Sequence, residues 1–142
     1  MIHLALYKGR GDWLNGAIRW RTSSPYSHCE LVAFGNGYSS SGRDRGVRVK
    51  RIEFDADRWD IFESEASYDR LVEVFRATAG MPYDYWGAIV GRGIDAKVED
   101  RQKWFCSEWC AHALGFAEPW RYTPALLASV LSRRTRTKDG SL

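Results

Sequence analysis

The hydrophobic and polar positions divide the chain into an early part dominated by strands and a later part dominated by helices. Short apolar or alternating runs predict strands in the early part, at residues 2–7, 27–34, about 38–41, 47–53 and 59–63. A short helix is predicted over 12–21, and Gly35-Asn36-Gly37 predicts a tight turn. Strands this close in sequence favour an antiparallel meander.

The hydrophobic spacing becomes helical after Ser67, and Gly80 followed by Pro82 ends the first helix of this part. Further helices are predicted at residues 83–90, Cys106 to Leu114 with Gly115 as the stop, and Thr123-Pro124 to about Leu131. The sequence therefore predicts an α+β fold in which an antiparallel sheet packs against helices. Residues 1–131 would form one domain, and the basic tail 132–142 is expected to be disordered.

Length and charge exclude several classes of protein. A chain of 142 residues is long enough to bury a core without disulfides or metals. The net charge of +3 is too small to indicate a nucleic-acid partner. We expect a cytoplasmic protein without an integral membrane segment, because the N-terminus lacks the pattern of a signal peptide and no long apolar run follows. The three cysteines favour free thiols in a reducing compartment.

The most informative chemistry is a histidine on a predicted strand and a cysteine at a predicted helix start. The helix dipole and a nearby imidazole can deprotonate a thiol at a helix N-terminus, which makes Cys106 a candidate nucleophile and His28 its candidate base. Strand alternation places Glu30 on the same face as His28 and turns Cys29 to the other face. Glu30 is therefore the candidate orienting residue.

The order of these motifs resembles that of the circularly permuted NlpC-type papain-like hydrolases, the YiiX/YaeF-like group. In that group, as in the related lecithin:retinol acyltransferase-like enzymes, the histidine strand precedes the cysteine helix. The likeness spans residues 1–131 and matches Cys106 to the nucleophile, His28 to the base and Glu30 to the third polar residue. It matches Tyr83-Asp84 to the short motif ahead of the cysteine helix.

The resemblance implies a papain-like fold and acyl transfer without metal or organic cofactor. Cys106 would attack a carbonyl carbon, His28 would move the proton to the leaving group, and the backbone N–H of Cys106 would stabilise the oxyanion. Tyr7, Tyr26 and Tyr83 are candidates for a second oxyanion donor, and Tyr26, Tyr83 and Asp84 for substrate contacts. The implied activity is that of an amidase or peptidase acting on a cell-wall peptide or another amide. A lipid or thioester acyltransferase or hydrolase is the alternative on the same scaffold.

Two further interpretations stay open. Zinc nucleobase deaminases also combine His-x-Glu with two later cysteines, although Cys106 and Cys110 are separated by three residues rather than two and no proline precedes the first. A binding module that keeps the scaffold without catalysis is the other, since a fold does not determine a function. A bacterial origin is compatible with the sequence; a phage-encoded enzyme delivered with a virion is an alternative that the resemblance and the compact size suggest.

Overall fold

A computed structural model of the chain describes residues 1–10, 13–85, 88 and 103–138. It confirms the α+β fold with an antiparallel sheet. The strands are β1 (Ile2–Tyr7), β2 (His28–Ala33), β3 (Asn36–Ser41), β4 (Gly46–Arg51) and β5 (Trp59–Ser64). They form one five-stranded sheet in the order β4-β3-β2-β1-β5, and every neighbouring pair is antiparallel.

The described part of the chain contains four α-helices, which are α1 (Trp13–Thr22), α2 (Tyr68–Thr78), α3 (Cys106–Leu114) and α4 (Pro124–Lys138). Helix α3 packs against β2 and β3, α2 packs against α3, and α4 packs against β5. The main core lies between these helices and the sheet, where Leu4, Leu31 and Trp109 are fully buried. Among the described residues, no helix is both long and apolar enough to cross a bilayer.

The turn between β2 and β3 lies one to two residues earlier than the glycine pattern predicts. Ala33 pairs with Asn36, so the two connecting residues are Phe34 and Gly35, with φ of 51° and 75°. A two-residue hairpin of this kind needs positive φ at both positions to match the twist of its strands. Asn36 and Gly37 belong to β3, and Phe34 accepts an unusual backbone conformation at an exposed position.

The helix termini follow local capping rules, but the last helix is longer than predicted. The Ser67 side chain accepts a hydrogen bond from the Arg70 N–H, and Gly115 ends α3 in the left-handed conformation with φ of 84°. Helix α4 continues to Lys138 instead of ending at about Leu131, so residues 132–138 of the predicted disordered tail are helical. Residues 139–142 lie outside the described residues.

The predicted helix over 83–90 begins with a residue that is not helical. Tyr83 forms a bridge with Trp104, while most of the remaining prediction, including 89–90, lies outside the described residues. Residues 91–102 lie outside them as well.

The segment that approaches α3 is attached to the edge of the sheet. The Val47 N–H donates to the Met81 carbonyl at 2.9 Å, and the Trp104 N–H donates to the Pro82 carbonyl at 3.0 Å. A Cβ on Gly46 would lie 2.2 Å from the Met81 oxygen, so only glycine allows this close approach. Because Trp104 is held in this way, the start of α3 is fixed relative to the strands.

Candidate active site

Cys106 is the first residue of α3, where the sequence predicts the helix to begin. Its predecessor Phe105 is the N-cap and supplies no side-chain hydrogen bond to the first turn. The N–H groups of a first turn have no partner within their own helix and carry the positive end of its dipole. Cys106 therefore lies where a negative sulfur, and an oxyanion beside it, would be stabilised.

His28 and Glu30 are the first and third residues of β2, and their side chains meet as strand alternation predicts. The His28 Nε2 lies 2.6 Å from the Glu30 Oε1, and the His28 side chain also hydrogen-bonds the Cys106 thiol. Glu30 is 1% exposed. The fold thus brings Cys106, His28 and Glu30 together, although β2 and α3 are far apart in the sequence.

The environment favours the charged forms of the thiol and the imidazole. Burial opposes the imidazolium, but the Glu30 charge, aided by hydrogen bonds with Cys106 and Glu30, raises the pKa of His28 to about 10. A hydrogen bond from the Cys29 thiol holds the pKa of Cys106 well below its ordinary value; burial opposes this effect, and the hydrogen bond and charge of His28 add to it. Both shifts favour a thiolate and an imidazolium over the neutral pair.

Cys29, which strand alternation turns away from His28, contacts the candidate nucleophile. It is buried in the core on the α3 side of β2, where its thiol hydrogen-bonds Cys106. The Cys110 Sγ contacts the Cys29 carbonyl at 3.8 Å, so three free cysteines lie together. Successive side chains of a strand point to opposite faces, so the sequence already indicated that Cys29 faces away from His28 and towards α3.

Arg48 on β4 is the site residue that sequence reasoning missed. Its Nη1 donates to the Glu30 Oε2 at 2.7 Å and its Nη2 to the Glu30 Oε1 at 2.5 Å. Its Nε donates to Asp44 at 2.6 Å, and the Lys50 ammonium binds the same carboxylate at 2.7 Å. In the sequence, Arg48 and Lys50 alternate with two valines, which indicated a charged face of the sheet. Only the strand order shows which carboxylate Arg48 reaches.

Gly37 on β3 makes room for this carboxylate. A Cβ at this position would lie 2.9 Å from the Glu30 Oε2 and 2.6 Å from the Ile52 Cδ1. Real Cβ contacts are essentially never shorter than 3.0 Å. Gly37, which the sequence places in a turn, is therefore a strand residue that lets Glu30 occupy its position.

A cleft of about 220 Å³ opens beside the histidine. His28, Glu30 and Arg48 form part of its wall. The other lining residues belong to α1, to the strands β1, β3, β4 and β5 and to the loops. They are Tyr7, Asn15, Ile18, Ser27, Ser41, Gly42, Arg43, Lys50, Ile52, Glu53, Arg58, Trp59 and Tyr83. Cys106 is not among them and is 2% exposed. The thiol therefore lies behind the cleft wall, in contact with His28.

The predicted substrate-binding residues divide into one that lines the cleft and two that do not. Tyr83 lines it, and burial, followed by the negative charge of Cys106, raises the pKa of its phenol. The Tyr26 hydroxyl instead donates to Asp60 at 2.6 Å, and burial together with this carboxylate raises the pKa of Tyr26 to about 12. Asp84 is buried outside the cleft wall. Of the predicted oxyanion donors, Tyr7 and Tyr83 are thus the two in the cleft.

Ser27 is a cleft residue that the sequence did not single out. Its hydroxyl is buried and, within the described part of the chain, makes no hydrogen bond.

Among the described residues, no group of three His, Cys, Asp or Glu side chains is arranged to hold a metal ion. Comparison with known proteins found no family model and no curated protein that matches this chain.

Proposed function

We propose that this chain is a cysteine-dependent hydrolase, an amidase or peptidase, built on a papain-like fold of the permuted NlpC type. The observation that carries the proposal is the connected series Cys106–His28–Glu30, with the cysteine at a helix start and the carboxylate buried. Activated thiols in hydrolases need an adjacent base and a third group that orients the base. These three side chains meet both needs.

The chemistry would proceed through an acyl-enzyme. The Cys106 thiolate attacks the amide carbonyl carbon, and first-turn N–H groups of α3 stabilise the oxyanion. The C–N bond then breaks as the His28 imidazolium gives its proton to the departing amine. Water, deprotonated by His28, attacks the thioester, which releases the carboxylic acid and restores the Cys106 thiolate and the His28 imidazolium. Glu30 keeps the imidazole oriented throughout.

The substrate class follows from the resemblance and the cleft together. A cell-wall peptide or another amide is our first candidate. A lipid or thioester acyl donor, with water or a second acceptor, would use the same acyl-enzyme. The wall combines aromatic Tyr7, Trp59 and Tyr83 with the charged Arg43 and Glu53, so both the apolar and the polar part of an acyl compound would find contacts.

The burial of Cys106 favours a second candidate, a binding module. The thiol is 2% exposed and does not line the cleft, so an acyl compound could occupy the cleft without reaching it. In that case the cleft would bind its ligand and the buried thiol would be part of the core.

The deciding experiment uses a small activated ester, p-nitrophenyl acetate, followed by peptide, amide and lipid acyl donors. Hydrolase function predicts turnover and an acetyl adduct on Cys106, detected by mass spectrometry, and predicts that Cys106→Ala and His28→Ala abolish both. Cys110→Ala is the matched control, because it removes a buried thiol from the same helix. Full turnover in Cys106→Ala would overturn the proposal, and saturable binding of a donor with neither adduct nor turnover would establish the binding module.

A further inference from the structure

We propose that Arg48 is a positioning residue of this site, which holds Glu30 in one orientation and balances the charge of the buried cluster so that the Cys106 thiolate persists. The inference rests on the proposed function, because it concerns the same thiolate and imidazolium. Arg48 touches neither Cys106 nor His28 in any contact that the structure gives, and it acts through Glu30.

The geometry around the Glu30 carboxylate supports this role. The guanidinium binds both Glu30 oxygens, and the Oε1 that accepts from Arg48 also faces the His28 Nε2. A planar fork of this kind holds a carboxylate in a defined plane, which a lysine ammonium does not. Asp44 holds the guanidinium from its other edge through Nε, and the missing Cβ of Gly37 leaves space for Oε2. Glu30 therefore has its position set by β3 and β4 as well as by its own strand.

The charges of the cluster also support this role. Along the contacts from Lys50 to Asp44, Arg48, Glu30, His28 and Cys106, positive and negative groups alternate and sum to zero. Without Arg48, the innermost three groups carry a net charge of −1 in a buried setting. An uncompensated buried charge is costly, so the cluster would bind a proton more readily. Whether Glu30 or Cys106 takes this proton, less of the imidazolium–thiolate pair remains.

The remaining titratable groups around Cys106 do not replace the lost charge. Cys29 on β2 and Tyr83 stay neutral near pH 7, because burial raises the pKa of both. Cys110 and Glu108 belong to α3 itself and are unchanged by a substitution on β4. Asp44 would keep its contact with Lys50. The thiolate population should therefore depend on Arg48 more than on any other cation of the cleft wall.

The test is the pH dependence of Cys106 alkylation by iodoacetamide, with the site identified by mass spectrometry. In Arg48→Met we expect the pH of half-maximal rate to rise by about 1 to 3 units, the usual effect of a lost nearby charge. Arg48→Lys keeps the charge, so its midpoint should stay close to that of the wild type, whereas its turnover falls at least about tenfold through misplacement of His28. Arg58→Met is the matched control, since Arg58 lines the same cleft but pairs with the exposed Asp55.

A double variant distinguishes a role of Arg48 in balancing the charge of the cluster from a role in stabilising the fold alone. Glu30→Gln with Arg48→Met removes one negative and one positive charge, so its alkylation midpoint should lie below that of Arg48→Met alone. If Arg48→Met is poorly folded, the double variant is compared with Glu30→Gln instead, which retains the positive charge of Arg48 and should therefore have the lower midpoint.

Unchanged midpoints in Arg48→Met and in the double variant would overturn the role of Arg48. If His28→Ala still raised the midpoint in that case, the proposed function would stand. An ordinary thiol profile in the wild type itself would instead remove the proposed function, and the role of Arg48 with it.

Discussion

The contact between Glu30 and Arg48 makes a strong prediction about stability. Glu30 is 1% exposed, and two of its hydrogen bonds come from one guanidinium. Glu30→Gln keeps the shape of the side chain but removes the carboxylate that Arg48 and His28 share. Removing one member of a buried ion pair costs about 3–5 kcal/mol. A domain whose free energy of unfolding lies well above about 5 kcal/mol, within the typical range of about 5–15 kcal/mol, would remain folded after this loss.

Arg48→Met should cost a similar amount, because it leaves the buried Glu30 carboxylate without the guanidinium that binds both of its oxygens. The double variant should lose less than the sum of the two, with a coupling energy of about 2–3 kcal/mol. Urea unfolding at pH 7, followed by circular dichroism, measures all three free energies. Arg58 and Asp55 are a matched control pair at 60% and 38% side-chain exposure, and their coupling should stay below about 1 kcal/mol. Additive losses at Glu30 and Arg48 would refute the reasoning.

The same pair gives the stability a defined pH dependence. The pKa of Glu30 is lowered: burial opposes this, but the Arg48 hydrogen bonds and the His28 charge outweigh it. Its stabilisation is therefore present above the ordinary glutamate pKa and is lost as the pH falls through the lowered value. The pKa of His28 is raised to about 10, so its contribution is full below the unfolded-state histidine pKa and declines as the pH rises to about 10. Glu30→Gln should flatten both limbs of an unfolding free-energy profile.

Three further substitutions test separate parts of the site. Gly37→Ala should displace the Glu30 carboxylate and lower turnover, while the circular dichroism spectrum stays native. Turnover equal to that of the wild type would mean that a movement of the Ile52 side chain alone makes room for the new Cβ. Tyr26→Phe should cost about 1 kcal/mol in urea unfolding and leave turnover unchanged, because the hydroxyl is bound to Asp60; a large loss of turnover would show that it contacts substrate. Cys29→Ala should raise the pH of half-maximal Cys106 alkylation, whereas Cys29→Ser retains a hydrogen-bond donor and should leave it unchanged. A Cys29→Ala profile equal to that of the wild type would disprove the contact between the two thiols.

Much of the fold is readable from the sequence because periodicity and capping are local. The strand alternation, the N-cap at Ser67 and the stop at Gly115 all involve neighbours in the chain. The position of the hairpin turn differs from the prediction because Phe34 adopts a positive φ. Local preference disfavours this conformation for a residue with a Cβ. The extension of α4 beyond Leu131 escaped because a run of basic residues is as compatible with a helix as with a solvated tail.

The site is predictable to the extent that its residues share an element. His28 and Glu30 are two positions apart on one strand, so alternation alone places them side by side. The contact of Arg48 with Glu30 depends on β3 separating β2 from β4 and on the length of the arginine side chain. The burial of Cys106 behind the cleft wall likewise depends on how α3 packs against β2, which no local pattern specifies.

The central claim is that Cys106 and His28 form a working thiolate–imidazolium pair, and the rate of Cys106 alkylation against pH tests it most directly. In the wild type the account predicts reaction well below the free-thiol pKa of about 8.5, and in His28→Ala the loss of that low-pH reactivity. Cys106 is 2% exposed, so the pH at which its alkylation rate is half-maximal, rather than the absolute rate, reports the ionisation of the thiol. Slow alkylation with an ordinary thiol profile in both proteins would contradict the account.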